Sequence, residues 1–264
     1  MAAVQPADAT AARRPMVAPF ARALALLGAF TPQDRWLGNR ELAGRTGLPA
    51  STVSRFAQSL ALLGYLHHDL EQRKYRLAAA VLSLGYGAIA NSELQRAARV
   101  HMQAFADQQR VHVYLSLRDR LDLVVLESCS AAQSLLQFNL HVGARVGIAS
   151  SPMGWTLLAA LPEIERYYLM ENVERRAPRE WPRVRRRIGE AIAEVYQTGY
   201  CSSIGEWDRE LAIIAAPVLV EGQAPLVIAC VGSTVQITRA RVKRELGPRL
   251  AATAEAIRQS ELVQ

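Results

Sequence analysis

Five polar side chains fall within eight positions of one another: Ser51, Thr52, Ser54, Arg55 and Gln58. Interleaved with them are Val53, Phe56, Ala57 and Leu60, spaced i, i+3, i+4 and i+7. That spacing is the apolar stripe of an amphipathic helix, which buries the stripe and presents the polar set. Short hydroxyls beside one guanidinium suit recognition better than bond making. Amides and hydroxyls at a helix N-terminus bond phosphate oxygens, and an arginine can take guanine O6 and N7 in a fork. The chemistry on offer is the reading of a DNA major groove.

A catalytic reading needs a constellation, and none is found. His67 and His68 stand together, while His101, His112 and His141 lack Cys or carboxylate partners at useful spacing. Neither a GxSxG elbow nor a phosphate-binding loop is present. Asp208 and Glu210 near Cys201 read as a surface turn. No catalytic residue, metal site or cofactor is expected.

The elements around residues 51–58 follow from the same patterning. A short helix from Asn39 to Thr46 should stop at Gly47, Leu48 and Pro49 should turn the chain, and the second helix should run from about Ser51 to Leu63. A hairpin-like wing follows: Tyr65 and Leu66, a charged turn at Glu71 to Lys74, then Tyr75 to Leu77. Arg73 and Lys74 at its tip are candidates for phosphate or minor-groove contact, with Arg40 and Arg45 as further phosphate contacts. Ala18 to Phe30 reads as a supporting helix and residues 1–17 as a disordered tail without a signal-peptide core.

Beyond the wing, residues 78–91 are apolar and small and read as a helix linking two domains, weakened by Gly85 and Gly87. Asn91 and Ser92 offer an N-cap for a helix reaching Gln109. The period then changes. Val111, Val113, Leu115 and Leu117 alternate with His112, Tyr114, Ser116 and Arg118, the pattern of a half-buried strand. Further strands are expected at Leu121 to Glu127, Ser134 to Val142, Leu211 to Val220 and Ala224 to Val231, the last two joined through Glu221-Gly222-Gln223. Helices are expected at Met153 to Ala160, Pro162 to Met170, Arg179 to Thr198, and from Thr238 towards Gln259 with a disturbance at Gly247-Pro248. Hairpin-linked strands mixed with helices make an α+β domain with an antiparallel sheet over residues 92–264.

Composition agrees. The chain has 264 residues and a net charge of +7. Residues 1–90 hold ten Lys or Arg against five Asp or Glu, and residues 91–264 hold 21 against 19. The excess positive charge therefore sits beside the candidate recognition helix, as an anionic partner requires. Seven arginines between Arg175 and Arg187 could track DNA, but read better as a solvated helix face paired with Glu174, Glu180 and Glu190. The three cysteines, Cys129, Cys201 and Cys230, are far apart and read as buried thiols of a reducing cytoplasm. No uncharged apolar run of about 18 residues predicts a membrane span.

With these segments in view, the chain resembles the IclR-type bacterial transcriptional regulators over about residues 18–260. Three stretches carry the resemblance: ELAGRTGLPASTVSRFAQSLALLGYL with the wing ending in KYRL, VGARVGIASSPMGWTLLAALP, and TGYCSSIGEWDRELAIIAAPVLVEGQAPLVIACVGS. The resemblance implies a winged helix-turn-helix domain over 18–77, a linker helix over 78–91 and a GAF-like effector domain over 92–264. It also implies a homodimer or homotetramer on palindromic or repeated double-stranded operators, a small-molecule effector, and a place in the bacterial cytoplasm, nucleoid-associated when bound.

The effector pocket departs from the pattern of relatives that sense small carboxylates. Positions polar in those relatives fall here on Pro152, Met153, Ser203 or Ile204, Ile213, Ala229 and Val231. A carboxylate there would lose its hydrogen bonds, and burying an unpaired charge is costly. The expected effector is therefore larger or more apolar, in the aromatic range. It would be held by Leu135, Phe138, Met153, Gly154, Trp155, Ile213 and Val231, with Ser203 or Arg145 as a polar contact. A second reading stays open: a GAF-type small-molecule-binding or enzymatic protein whose helix-turn-helix is mainly a dimer interface. Arg55 and its polar neighbours discriminate, since an interaction-only motif gains nothing from that face.

Overall fold

The computed structural model describes residues 17–89, 93–131, 138 and 140–262. The tail expected over 1–17 falls outside them except for Val17, and so do the Asn91/Ser92 cap and Leu135. The chain divides into two compact units, Met1–Asn91 and Ser92–Gln264.

In the first unit three helices, α1 (Ala18–Leu27), α2 (Asn39–Thr46) and α3 (Ala50–Leu62), pack beside a small antiparallel sheet. Its strands β1 (Leu37–Gly38), β2 (Leu66–Asp69) and β3 (Lys74–Leu77) lie in the order β1-β3-β2. Leu26, Leu42, Val53, Ala57, Leu60, Leu66 and Tyr75 form the core. A left-handed Gly47 (φ 68°) ends α2, whose first turn is fastened by the Gly38 N–H donating to Glu41 Oε2 at 2.7 Å. Asp34 ties the loop after α1 to α2. It accepts from both Arg45 guanidinium nitrogens and from the Thr31 N–H, while Arg45 also donates to the Ala29 carbonyl at 2.9 Å. Helix α4 (Ala79–Ile89) closes the unit, with Leu82, Leu84 and Tyr86 exposed.

The second unit is built on a six-stranded antiparallel sheet. Its strands are β4 (His112–Asp119), β5 (Asp122–Ser130), β6 (Arg145–Gly147), β7 (Cys201–Ile204), β8 (Leu211–Val218) and β9 (Leu226–Ser233), ordered β6-β5-β4-β9-β8-β7. Helices α5 (Glu93–Gln109) and α10 (Gly247–Leu262) cover one face, meeting Val113, Leu115, Ile214, Ile228 and Cys230. Helices α6 (Pro152–Ala160) and α8 (Trp181–Thr198) pack on the other face with α7 (Glu163–Arg176), meeting Tyr114, Val125, Ile213, Ala215, Ala229 and Val231. Helix α6 lies between sheet and helices, so it is apolar all round.

Two expectations need correction. Phe138, Leu140, His141 and Val142 are not strand; the third strand is Arg145–Gly147, which pairs with Asp122 to Val124. The alternation over residues 111–118 is real, but β4 is not half-buried. His112, Tyr114 and Ser116 are buried beside Val113 and Leu115, because helices cover both faces of the sheet. The edge strand β7 was not foreseen; at four residues it carries too little periodicity to stand out. The final helix is disturbed where expected. After α9 (Arg239–Arg241), a π-helical turn spans Val242–Leu246. Pro248 has no N–H to give and its ring crowds the carbonyl four residues back, which favours the wider turn. A Cβ on Gly247 would sit 2.2 Å from Tyr200 Cζ, so the helix rests flat on that ring.

Two outcomes follow for stability. A Cβ at Gly154 would meet the Ile148 carbonyl oxygen at 2.1 Å, whereas Gly189 has nothing within 4 Å. Gly154→Ala should cost roughly 1–3 kcal/mol in denaturant titrations, and Gly189→Ala should gain up to about 1 kcal/mol. Equal effects would contradict this packing. Arg45, followed by Thr31, holds the Asp34 carboxyl well below the usual carboxylate range. A lowered folded-state pKa stabilises above the unfolded value and is lost as pH falls through the folded one. The gap in melting temperature between wild type and Asp34→Asn should therefore be widest near neutrality and shrink towards pH 2; a gap independent of pH would count against it.

Candidate nucleic-acid interface and ligand-binding face

Pro49 starts α3 and the buried trio Val53, Ala57 and Leu60 sets its rotation. With that side fixed, Ser51, Arg55 and Gln58 are exposed, and Thr52 and Ser54 sit half-buried at the margin. The Arg55 guanidinium lies 5.6 Å from the Phe56 ring centroid and makes no ion pair among the described residues. Arg45 differs. Its guanidinium is committed to Asp34 and the Ala29 carbonyl, so its role here is to brace the fold. Arg40 is exposed on α2.

The wing turn joins β2 to β3 across Leu70 to Arg73, with Asp69 facing Lys74 in register. Asp69 Oδ1 accepts from the Glu71 and Gln72 N–H groups at 3.0 Å each, which shapes the turn. Arg73 sits in the left-handed region at φ 53° and is exposed, while Lys74 is half-buried. His68 stacks on Tyr75 at 4.3 Å, and the Arg76 guanidinium lies 4.9 Å from the Trp36 ring centroid. The Arg76–Trp36 pair, which holds the wing, was not anticipated.

On the α6 side of the second unit the structure gathers most of the expected ligand set. Met153, Ile213, Ala229 and Val231 are each no more than 1 % exposed. Pro152, Gly154 and Trp155 are buried on α6, and Phe138 packs against the same cluster. Ser151 caps α6 by accepting from the Gly154 N–H at 3.1 Å and donating to the Gly147 carbonyl at 2.9 Å. Strand register places Ser203 opposite Ile213, Ile213 opposite Val231 and Val231 opposite His112. Ser203 is 2 % exposed and its Oγ has no hydrogen-bond partner among the described residues. Arg145 stands apart, donating to Asp119 Oδ2 at 2.7 Å and Asp122 Oδ2 at 3.0 Å around the exposed β4–β5 turn. Leu135 lies outside the described residues.

Tyr114, Trp207 and the His112 ring join this face, although none of them was among the ligand contacts expected from the sequence. Tyr114 is fully buried, and its hydroxyl lies 3.4 Å from both the Phe138 carbonyl and the Leu140 N–H. Phe138 meets Tyr114 edge-on at 6.4 Å and Trp207 edge-on at 5.9 Å. Trp207 stands on the β7–β8 turn among charged residues, which disguised it as surface; His112 is buried because its strand is covered on both sides.

A cleft of about 590 Å³ opens elsewhere, along α8, β7 and the π turn, lined by Arg187, Glu190, Glu194, Tyr200, Glu206 and Lys243 among others. Arg187 connects it to the buried face: it donates to Glu206 and to the Ser202 carbonyl and stacks on Trp155 at 4.5 Å. The arginine run is only partly neutralised as expected. Arg186 approaches Glu190, but Arg175 pairs with Glu171 and Arg187 with Glu206. Burial pushes the Cys201 and Cys230 thiols up to about 12, so neither is a ready nucleophile. No described helix is long and apolar enough to cross a membrane.

These features coincide with known proteins. Residues 20–70 match the IclR helix-turn-helix domain, and residues 86–259 match the bacterial transcriptional regulator IclR C-terminal domain. The chain is 32 % identical over 239 residues to the HTH-type transcriptional regulator TsaQ1/TsaQ2 of Comamonas testosteroni, covering 89 % of this chain and 85 % of that one. It superposes on an IclR family transcriptional regulator from Brucella abortus with a TM-score of 0.81 at 35 % identity, over 94 % of each chain. An IclR homolog from Microbacterium hydrocarbonoxydans, solved with 4-hydroxybenzoate, shares the fold at a TM-score of 0.71 and 22 % identity, over 93 % of this chain and all of that one. The regulators so named are transcription factors rather than enzymes, and this chain, matched along both of its units, belongs to the IclR family of DNA-binding transcriptional regulators.

Proposed function

We propose that α3 is the recognition helix, with Arg55 and Gln58 reaching base edges and Ser51, Thr52 and Ser54 bonding phosphates. The observation that carries this reading is the exposed row Ser51, Arg55, Gln58 directly opposite the buried Val53, Ala57 and Leu60. Arg73, Lys74 and Arg40 add phosphate contacts. A second copy of the chain covers the apolar surfaces of the first unit. Phe20 and Leu24 on α1 are 71 % and 67 % exposed and Leu82 on α4 is 75 % exposed, more bare apolar surface than a monomer usually shows. Pairing presents two recognition helices to two half-sites of a palindromic or repeated operator, about one DNA turn apart.

The small-molecule effector binds on the α6 side of the sheet and is aromatic or relatively apolar. The lining of Met153, Trp155, Ile213, Ala229 and Val231 supports this, and so does the 4-hydroxybenzoate carried by the Microbacterium homolog. Binding favours one quaternary arrangement over another, and the spacing of recognition helices changes with it. The protein works in the bacterial cytoplasm, on the nucleoid when bound.

Sequencing of genomic fragments retained at physiological salt should return a motif with two related half-sites; retention without a motif would reduce the interaction to electrostatics. On that operator, Arg55→Ala should weaken binding by about 1–3 kcal/mol and relax one base position. Arg73→Gly should leave the melting temperature unchanged or higher, because glycine takes φ 53° without strain, yet lower affinity uniformly and reduce the salt slope by about 1. In sedimentation, Leu82→Glu should shift the protein towards half its wild-type mass and lower operator affinity. A wild-type monomer would remove the second copy.

A further inference from the structure

Among the described residues, the buried polar side chains on the α6 side of the sheet bring hydroxyls and one imidazole, but no ammonium or guanidinium. They are His112, Ser116, Ser151, Thr156 and Ser203. Three are already engaged. Ser151 caps α6, Thr156 Oγ1 donates to the Ala215 carbonyl at 3.4 Å, and His112 Nδ1 lies 2.7 Å from Ser130 Oγ. Ser116 and Ser203 keep buried hydroxyls without partners. Register separates these two. Ser203 shares a row with Ile213, Val231 and His112, while Ser116 lies opposite Val227, four residues further along β4. Only Ser203 therefore borders the floor of Ile213, Ala229 and Val231.

Nearby arginines do not change this balance. Arg187 spends its guanidinium on Glu206, the Ser202 carbonyl and the Trp155 ring, and Arg145 on Asp119 and Asp122. An anion entering this layer would lose water and gain no cation, and burying an unpaired charge is costly. A neutral hydrogen-bonding group faces no such penalty and would satisfy a hydroxyl now left orphaned.

The shape of the face is aromatic. The Phe138 ring spans from Tyr114 on β4 to Trp207 on the β7–β8 turn, edge-on to both. Between those two positions run β9 and β8, which offer the small side chains Ala229 and Ala215 in register with Tyr114. A planar ring therefore already lies over this floor, in the edge-to-face geometry that aromatic pairs prefer. The chain holds it lightly, since the Tyr114 hydroxyl contacts at 3.4 Å are long.

Resting on the effector-binding reading above, we propose that the effector is an aromatic compound without an anionic group. It takes the place of the Phe138 ring between Tyr114 and Trp207 and places a neutral hydrogen-bonding group on Ser203 Oγ. Ser203 is then the residue that selects the polar end of the ligand, and Trp207 the one that selects its ring.

Two near-isosteric probes test this on the full-length protein: 4-hydroxybenzamide, which is uncharged, and 4-hydroxybenzoate, which is an anion at pH 7. Calorimetric titration should show the amide binding at least roughly tenfold tighter. Ser203→Ala should weaken the amide by about three- to tenfold while melting no lower without ligand, because it removes an unpartnered buried hydroxyl. Phe138→Ala should strengthen the amide by vacating its place. Benzoate binding as tightly as the amide would overturn the proposal. No binding of either probe, or amide affinity indifferent to both variants, would overturn it too. The same preparations are assayed for operator retention. Specific retention with failed ligand arms sinks only the effector assignment, whereas loss of specific retention sinks the regulator mechanism itself.

Discussion

A sheet covered by helices on both faces leaves no water to satisfy its polar atoms, and this constraint governs the second unit. Backbone groups must pair along the ladder, and side chains on either face must be apolar or find a partner within the protein. The burial of β8 and β9 along almost their whole length expresses that demand. So does the edge of the sheet, where Arg187 donates to the Ser202 carbonyl and Ser202 Oγ to Glu194. Covering both faces also buries the side chains on the α6 side, where an unpaired charge would be costly.

Charge is sorted differently in the two units. In the winged helix, one carboxylate makes the division. Asp34 fixes Arg45 against the loop after α1, which braces α2. Arg55, a short distance along the chain, makes no ion pair among the described residues and is exposed. The two arginines look alike in the sequence, yet one maintains the fold and the other is available to a partner. In the second unit Arg118, Arg145, Arg175 and Arg187 are tied into local pairs with Glu165, Asp119, Asp122, Glu171 and Glu206. Residues 91–264 are close to neutral, with 21 Lys or Arg against 19 Asp or Glu, and the excess positive charge lies with the helix-turn-helix unit.

Glycines set the closest approaches in the second unit. Gly154 lets the start of α6 lie on the Ile148 carbonyl, and Gly247 lets the last helix lie on the Tyr200 ring. Both contacts place helices against the sheet at distances a side chain would forbid. Arg187 stacked on Trp155 gives the second unit a physical link between its open cleft and its buried face.

Local periodicity and turn chemistry were enough to place the helix-turn-helix and the long helices. The i, i+3, i+4 stripe of Val53 to Leu60, the Gly47 and Gly199 stops and the Pro248 disturbance are all short-range effects, acting within a turn or two of backbone. The apolar β8–β9 pair was legible for the same reason. What the sequence could not carry were facts that depend on distant partners. Ser134 to Val142 had strand-like composition, but the third strand lies at Arg145–Gly147, since pairing is decided by the neighbouring strand. Arg45 looked like a phosphate contact until Asp34 was brought against it. Trp207, not singled out in the sequence, meets Phe138 through the β7–β8 turn, and Ser203 is an orphaned hydroxyl because the folded chain buries it without a partner among the described residues. The sequence by itself determined the elements and the family, because hydrophobic period and backbone stereochemistry are local. Only the tertiary structure decided which charges are spent and which polar atoms lack partners, because those outcomes are set by long-range packing.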